Sequence, residues 1–171
     1  MHYTPERFYQ QIHSRLKALD KKREQRRYCD PRIQPLVDAL NACHSVTTVW
    51  SCSGHTPAER LAADKETAKR SRGYLIFCVR DSAGDYVLRT ISRWISDLSF
   101  ETYKSHRFNL NMTKLHFGGF TARCTEGTPT EDYPCWCLEA FTECSEEAVT
   151  RLGEMFNSLA QALVLATSRE A

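Results

Sequence analysis

Nine residues, Thr47-Thr48-Val49-Trp50-Ser51-Cys52-Ser53-Gly54-His55, concentrate the reactive chemistry of this 171-residue chain. A β-branched run stops in two hydroxyls, a thiol, a glycine and an imidazole. The pattern predicts a strand that fixes one end of a functional loop, with Gly54 allowing a backbone or a close approach that a Cβ would block. Thr48, Ser51, Cys52, Ser53 and the backbone of Gly54 are the candidate ligand-binding groups, because hydroxyls and successive N–H groups suit an anion or the polar edge of a base. Cys52 and His55 are near enough in sequence to form a thiolate–imidazole pair, although no carboxylate partner for the histidine is identifiable from spacing. The competing reading is an ordinary glycine turn with Cys52 buried as a small hydrophobe.

A second candidate group closes the apolar run Gly73 to Val79, where Arg80-Asp81 emerges on a rigid mount. His55 and Arg80 are expected to supply charge or proton exchange, Asp81 to orient one of them, and all three to share one cleft with the Ser51–Gly54 loop. The competing reading is an Arg–Asp surface pair. Cys52 and His55 together with Cys135 and Cys137 have the soft-donor chemistry of a zinc site. Cysteines filling gaps in a strand buried on both faces is the preferred reading, and no metal is expected. His106 and His116 are read as packed or surface residues.

These groups need elements to hold them. Phe8, Ile12, Leu16 and Leu19 recur at helical spacing, predicting a basic helix over 5–27 with Pro5 near its start. Asp30-Pro31 reads as the cap and first residue of a helix carrying Ile33, Leu36, Val37 and Leu40 on one face. Strands are expected at Val46 to Ser51, Gly73 to Val79 and Cys135 to Phe141. Val87, Leu88, Ile91, Trp94, Ile95 and Leu98 form a helical stripe, and 56–72, poor in large apolar residues, reads as a mobile loop with some helical tendency. Residues 100–123 alternate imperfectly and read as two or more antiparallel strands. Ser145-Glu146-Glu147 opens a last helix about 30 Å long. Helices and strands mix without strict alternation, so the expected fold is α+β: one domain over 1–171, with a mixed or antiparallel sheet packed against long helices.

Charge is segregated although the net charge is only +2. Arg15 to Arg32 holds eight basic and three acidic residues, whereas Glu126 to Glu147 holds seven acidic and no basic ones. Such a distribution would orient an anionic partner, and Lys21, Lys22, Arg23, Arg26 and Arg27 are the candidate nucleic-acid contacts. The commoner explanation of such runs is a solvated helix face. With no apolar stretch of membrane-spanning length and a polar start, a cytoplasmic location with mostly reduced cysteines is expected.

The stretch Asp30-Pro31-Arg32-Ile33-Gln34-Pro35-Leu36 through Leu40-Asn41, then Val46-Thr47-Thr48 and Ser51-Cys52-Ser53-Gly54, resembles the wybutosine-synthesising tRNA methyltransferases. A Lys/Arg-rich segment and the strand ending in Arg80-Asp81 continue the likeness, which covers about residues 28–81. His55 stands where that family has arginine, Trp50 where it has serine, and Arg80 where it has histidine. The resemblance implies a similar α+β fold that binds S-adenosylmethionine and methylates a modified guanine in tRNA, with Ser51–Gly54 in its cleft. It therefore implies a nucleotide-like small molecule or tRNA as partner. Two other readings are a non-catalytic phage or mobile-element accessory protein that sequesters a nucleotide or blocks a host factor, and a protein-interaction module.

Overall fold

In a computed structural model, residues 3–23, 30–63, 69–116 and 132–170 are described. Helix α1 spans Glu6–Arg23, α2 Gln34–Asn41 and strand β1 Val46–Cys52. A short helix, α3, covers Pro57–Ala62 and leads to β2 at Arg70–Val79. Helices α4 (Asp85–Ser96) and α5 (Phe100–Ser105) precede β3 (Arg107–His116), β4 (Asp132–Glu143) and the long α6 (Glu146–Glu170). The four strands form one sheet in the order β1-β2-β4-β3, antiparallel throughout. The fold is α+β, and its sheet is purely antiparallel.

Alternation along β2 explains how the sheet is used. Ser71, Gly73, Leu75 and Phe77 are buried on its inner face, while Arg70 and Arg72 are exposed and Tyr74 and Ile76 half-buried on the outer one. The inner face packs beneath α2, α4 and α6 in one core holding Leu36, Leu40, Leu75, Phe77, Ile91, Leu138, Leu152 and Phe156. Gly73 lets α6 come close: a Cβ there would lie 3.1 Å from the Phe156 ring and 3.2 Å from Leu152. Helix α1 covers only part of the outer face, where Phe8, Tyr9 and Ile12 bury Cys78 and Cys135 beside Val49 and Ile76.

Several boundaries differ from the sequence expectation for local reasons. Asp30 does not cap α2; it opens a turn, accepting from the Ile33 and Gln34 amides, and its carboxylate takes the Arg32 amide at 3.0 Å. The segment expected as a mobile loop contains α3, and β2 already begins at Arg70; residues 64–68 lie outside the described set. The start of the region read as strands is instead α5, capped by the Ser99 hydroxyl, which accepts from Thr102 N and so satisfies an orphan amide of the first turn. Among the described residues, no helix is long and apolar enough to cross a membrane.

Candidate functional site

The loop after β1 is held by a network that begins at Arg32. Its guanidinium donates to both oxygens of Asp30, through Nε at 3.1 Å and Nη2 at 2.8 Å, and Nη2 also reaches Glu59 at 2.8 Å and the Gly54 carbonyl at 3.3 Å. The Ser53 hydroxyl donates to Asp30 Oδ2, the oxygen that also accepts from Arg32 Nη2. Gly153 of α6 gives the arginine stem its room, since a Cβ there would sit 3.0 Å from Arg32 Cβ. Gly54 has φ +90°, and a Cβ would meet Ser71 Oγ at 2.8 Å, so glycine is required twice over. Ser71 clamps the next residue by accepting from His55 N at 2.8 Å and donating to His55 O at 3.0 Å.

His55 then enters α3 through a capping box: Thr56 Oγ1 accepts from Glu59 N at 3.2 Å, and Glu59 Oε2 accepts from Thr56 N at 2.8 Å. The turn that results aligns three reactive groups. Cys52 Sγ lies 3.6 Å from His55 Nε2, and His55 Nδ1 lies 4.0 Å from Glu59 Oε2. Glu59 is the carboxylate partner that spacing did not reveal. The turn thus sets a thiol within hydrogen-bond reach of an imidazole, with a carboxylate on the imidazole's far side.

Asp30 and Glu59 both sit below the ordinary carboxylate range. Burial pushes each upward, but at Asp30 hydrogen bonds from Arg32 and Ser53 outweigh it, and at Glu59 those from the Thr56 amide and Arg32 do. Both groups thus bind protons less readily folded than unfolded. Their stabilisation is complete above the unfolded values, near pH 4, and is lost as pH falls through the lower folded ones. The urea midpoint is therefore expected to drop between pH 6 and pH 3. Asp30→Asn should start lower at pH 6 and drop less; an identical drop in that variant would remove Asp30 from the acid response.

The predicted site residues divide. Thr48 is buried, its amide donating to Asn41 Oδ1 at 2.9 Å and its hydroxyl accepting from Asn41 Nδ2 at 2.9 Å. Ser53 is 0% exposed and committed to Asp30, and Gly54 is buried. These three lie within the loop's own packing, the Thr48 hydroxyl bonded to Asn41 and the Ser53 hydroxyl to Asp30. Ser51, Cys52 and His55 keep partial exposure.

Arg80 and Asp81 do not join them. Because β2 runs antiparallel to β1, Val79 pairs with Val46 whereas Tyr74 pairs with Cys52. Six residues of strand separate the two ends, about 20 Å. Arg80 instead binds Asp81 at 2.8 Å, approaches Glu6 at 3.8 Å and lies 5.4 Å from the centre of the Tyr9 ring, tying α1 to the sheet. Asp81 accepts from Ser45 and Arg80, which lower its pKa, and from Ala83 N. The common cleft expected for His55, Arg80 and Asp81 is absent from this arrangement.

Cys135 and Cys137 do not converge on Cys52 and His55, although Cys144 Sγ reaches the His55 carbonyl at 3.5 Å. Cys135 faces Cys78 across neighbouring strands, Sγ to Sγ 3.2 Å, and its pKa is raised by that contact and by burial. Burial also pushes the Cys137 thiol up to about 11. Among the described residues no three histidine, cysteine or acidic side chains gather as metal ligands. His106 is buried and bonded to Ser105 Oγ at 2.9 Å and Ala148 O at 3.0 Å, a packed histidine anchoring the start of α6. Of the basic helix residues, Lys21, Lys22 and Arg23 lie in α1 by backbone, while Arg26 and Arg27 lie outside the described residues.

Sequence reasoning missed the surface next to this loop. Cys52 pairs with Tyr74, and on the same outer face Arg72 stacks over Tyr74 at 5.5 Å and Phe141 at 6.0 Å while binding Glu139. Trp50, opposite Ile76, is 42% exposed there. These rings, the Arg72 guanidinium and Cys52 thus share the outer face of the sheet, beside His55. The cue available in the sequence was the alternation Arg70, Arg72, Tyr74 ahead of the continuous apolar run.

Comparison with protein-family models, with curated proteins and with solved structures finds no match to this chain.

Proposed function

We propose that the protein binds a nucleotide-like ligand or an RNA base on the outer sheet face, beside Cys52 and His55. The observation that carries this reading is the shared face of Trp50, Tyr74, Phe141 and Arg72, four planar groups next to a half-exposed thiol and imidazole. Bases stack on such rings whatever their sequence, and a guanidinium adds a cation for the π-face. His55, which keeps partial exposure, supplies a donor or acceptor for a base edge.

The resemblance would extend this to methyl transfer from S-adenosylmethionine. The residues present do not favour that extension: Ser53 and Thr48, two of the candidate ligand hydroxyls, are buried and bonded to Asp30 and Asn41. The same commitments favour binding without methyl transfer. The reading therefore rests on the sheet face and not on the cofactor.

Titration with guanosine monophosphate, followed by tryptophan fluorescence and calorimetry, tests it. Stacking is worth about 1–3 kcal/mol per base, so Tyr74→Ala should weaken binding at least about fivefold. No heat or quenching at millimolar nucleotide, or full affinity in Tyr74→Ala, would overturn the proposal. S-adenosylmethionine in the same cell reports on the methyltransferase extension separately.

A further inference from the structure

The outer face continues past Phe141 into a cavity of about 300 Å³ lined by Lys69, Arg70, Lys104, Arg107, Phe141 and Glu143, among others. Its cations come from separate elements. Lys69 and Arg70 open β2, Lys104 projects from α5, and Arg107 begins β3. Register fixes their relation to the rings: Phe141 pairs with Arg72 on one side and Arg107 on the other, and Arg70 pairs with Glu143. The aromatic ring thus lies between two arginines on adjacent strands. Tyr74 pairs with Glu139, making Phe141 its diagonal neighbour about 7 Å away.

Charge bookkeeping identifies the occupant. Arg72 is bound by Glu139, and Lys104 is 3.4 Å from Glu101 and 4.3 Å from the Phe100 ring centre. Among the described residues, no acid lies within ion-pair distance of Lys69, Arg70 or Arg107, and Glu143 is the one carboxylate lining the cavity. Lys69, Arg70 and Arg107 against the single carboxylate of Glu143 leave an excess of positive charge around a small hollow, which suits a dianionic or bridging phosphate better than a neutral ligand. Apolar peptide partners are disfavoured by the same charge. The hollow adjoins the rings rather than standing alone, so phosphate and base sites follow one another along the face.

We infer that this cavity is a backbone phosphate site, and that the outer face binds single-stranded RNA or DNA, with bases on Tyr74 and Phe141 and the sugar-phosphate chain passing Arg70, Arg107 and Lys69. This deepens the nucleotide-binding reading and rests on it for the bases alone. Duplex binding is disfavoured, since stacking on the rings requires unpaired bases.

The test is fluorescence anisotropy of labelled dodecauridylate from 50 to 200 mM salt, with the double variant Arg70→Ala/Arg107→Ala. Affinity should fall at least tenfold in the variant, and the slope of log affinity against log salt should flatten by about 1.4, roughly 0.7 per lost contact. Inorganic pyrophosphate should compete with the wild type. Tyr74→Ala should lose affinity with its salt slope unchanged. Unaltered affinity and slope in the double variant, or competition by polyglutamate as strong as by unlabelled RNA, would overturn the site. Guanosine that binds while dodecauridylate binds no tighter would sink this inference and leave the base site standing. Salt-sensitive RNA binding without any guanosine binding would do the reverse. Both arginines are surface residues, and an unchanged thermal midpoint separates lost contacts from lost folding.

Discussion

Arg32→Ala is expected to destabilise the protein by about 2–3 kcal/mol, below the 3–5 kcal/mol of a fully buried pair because the side chain keeps 24% exposure. One guanidinium holds Asp30, Glu59 and the Gly54 carbonyl together. Its removal leaves two carboxylates facing one another and an acceptor without its donor. The loss should reach the site as well as the fold, because Glu59 both closes the cap of α3 and faces His55. Arg32→Lys keeps the charge but not the forked geometry, so its urea midpoint should fall between wild type and alanine. Combining Arg32→Ala with Asp30→Asn should recover part of the loss, since the stranded charge is then gone. Equal midpoints for wild type and Arg32→Ala would show that solvent screens the whole network.

Phe156→Ala should cost about 3–5 kcal/mol, the transfer of a ring plus the cavity it leaves. Phe156 is fully buried, meets Phe108 edge-on at 6.1 Å and presses against Gly73, where no side chain can swell to fill the gap. The loss would be a large fraction of the stability of an ordinary domain. Phe156→Leu, which keeps most of the volume, should cost clearly less. Denaturant unfolding at neutral pH reads both variants. A loss under 1 kcal/mol for the alanine variant would mean that Leu152 and Phe108 close over the space.

What the sequence made legible was local. The apolar positions Phe8 and Ile12 on α1, the run Leu75 to Val79 and the stripe on α4 all lie where periodicity put them, because burial is what periodicity records. Thr56-Pro57-Ala58-Glu59 carried a readable capping-box signature, yet the surrounding charge made the segment look like loop. Strand direction was not legible. Arg80 follows β2 as the loop follows β1, but only the pairing of Val46 with Val79 reveals that they leave opposite ends of the sheet. Arg32 was counted as one more positive charge; its role depends on a turn at Asp30 and on Gly153 more than a hundred residues away. The aromatic face was hidden for a similar reason: only strand register brings Tyr74 of β2 and Phe141 of β4 to one side of the sheet.

Strand order carries a last consequence. β1 with β2, and β3 with β4, join neighbours in the chain, whereas β2 and β4 zip together segments that begin more than sixty residues apart, Arg70 against Glu143. Such a distant closure is entropically the most demanding contact to make. Tyr74 and Arg72 belong to one half and Phe141 to the other, so the ring surface exists only after the halves have met. A molecule spanning that junction would act as a latch, favouring the joined state in proportion to its own affinity.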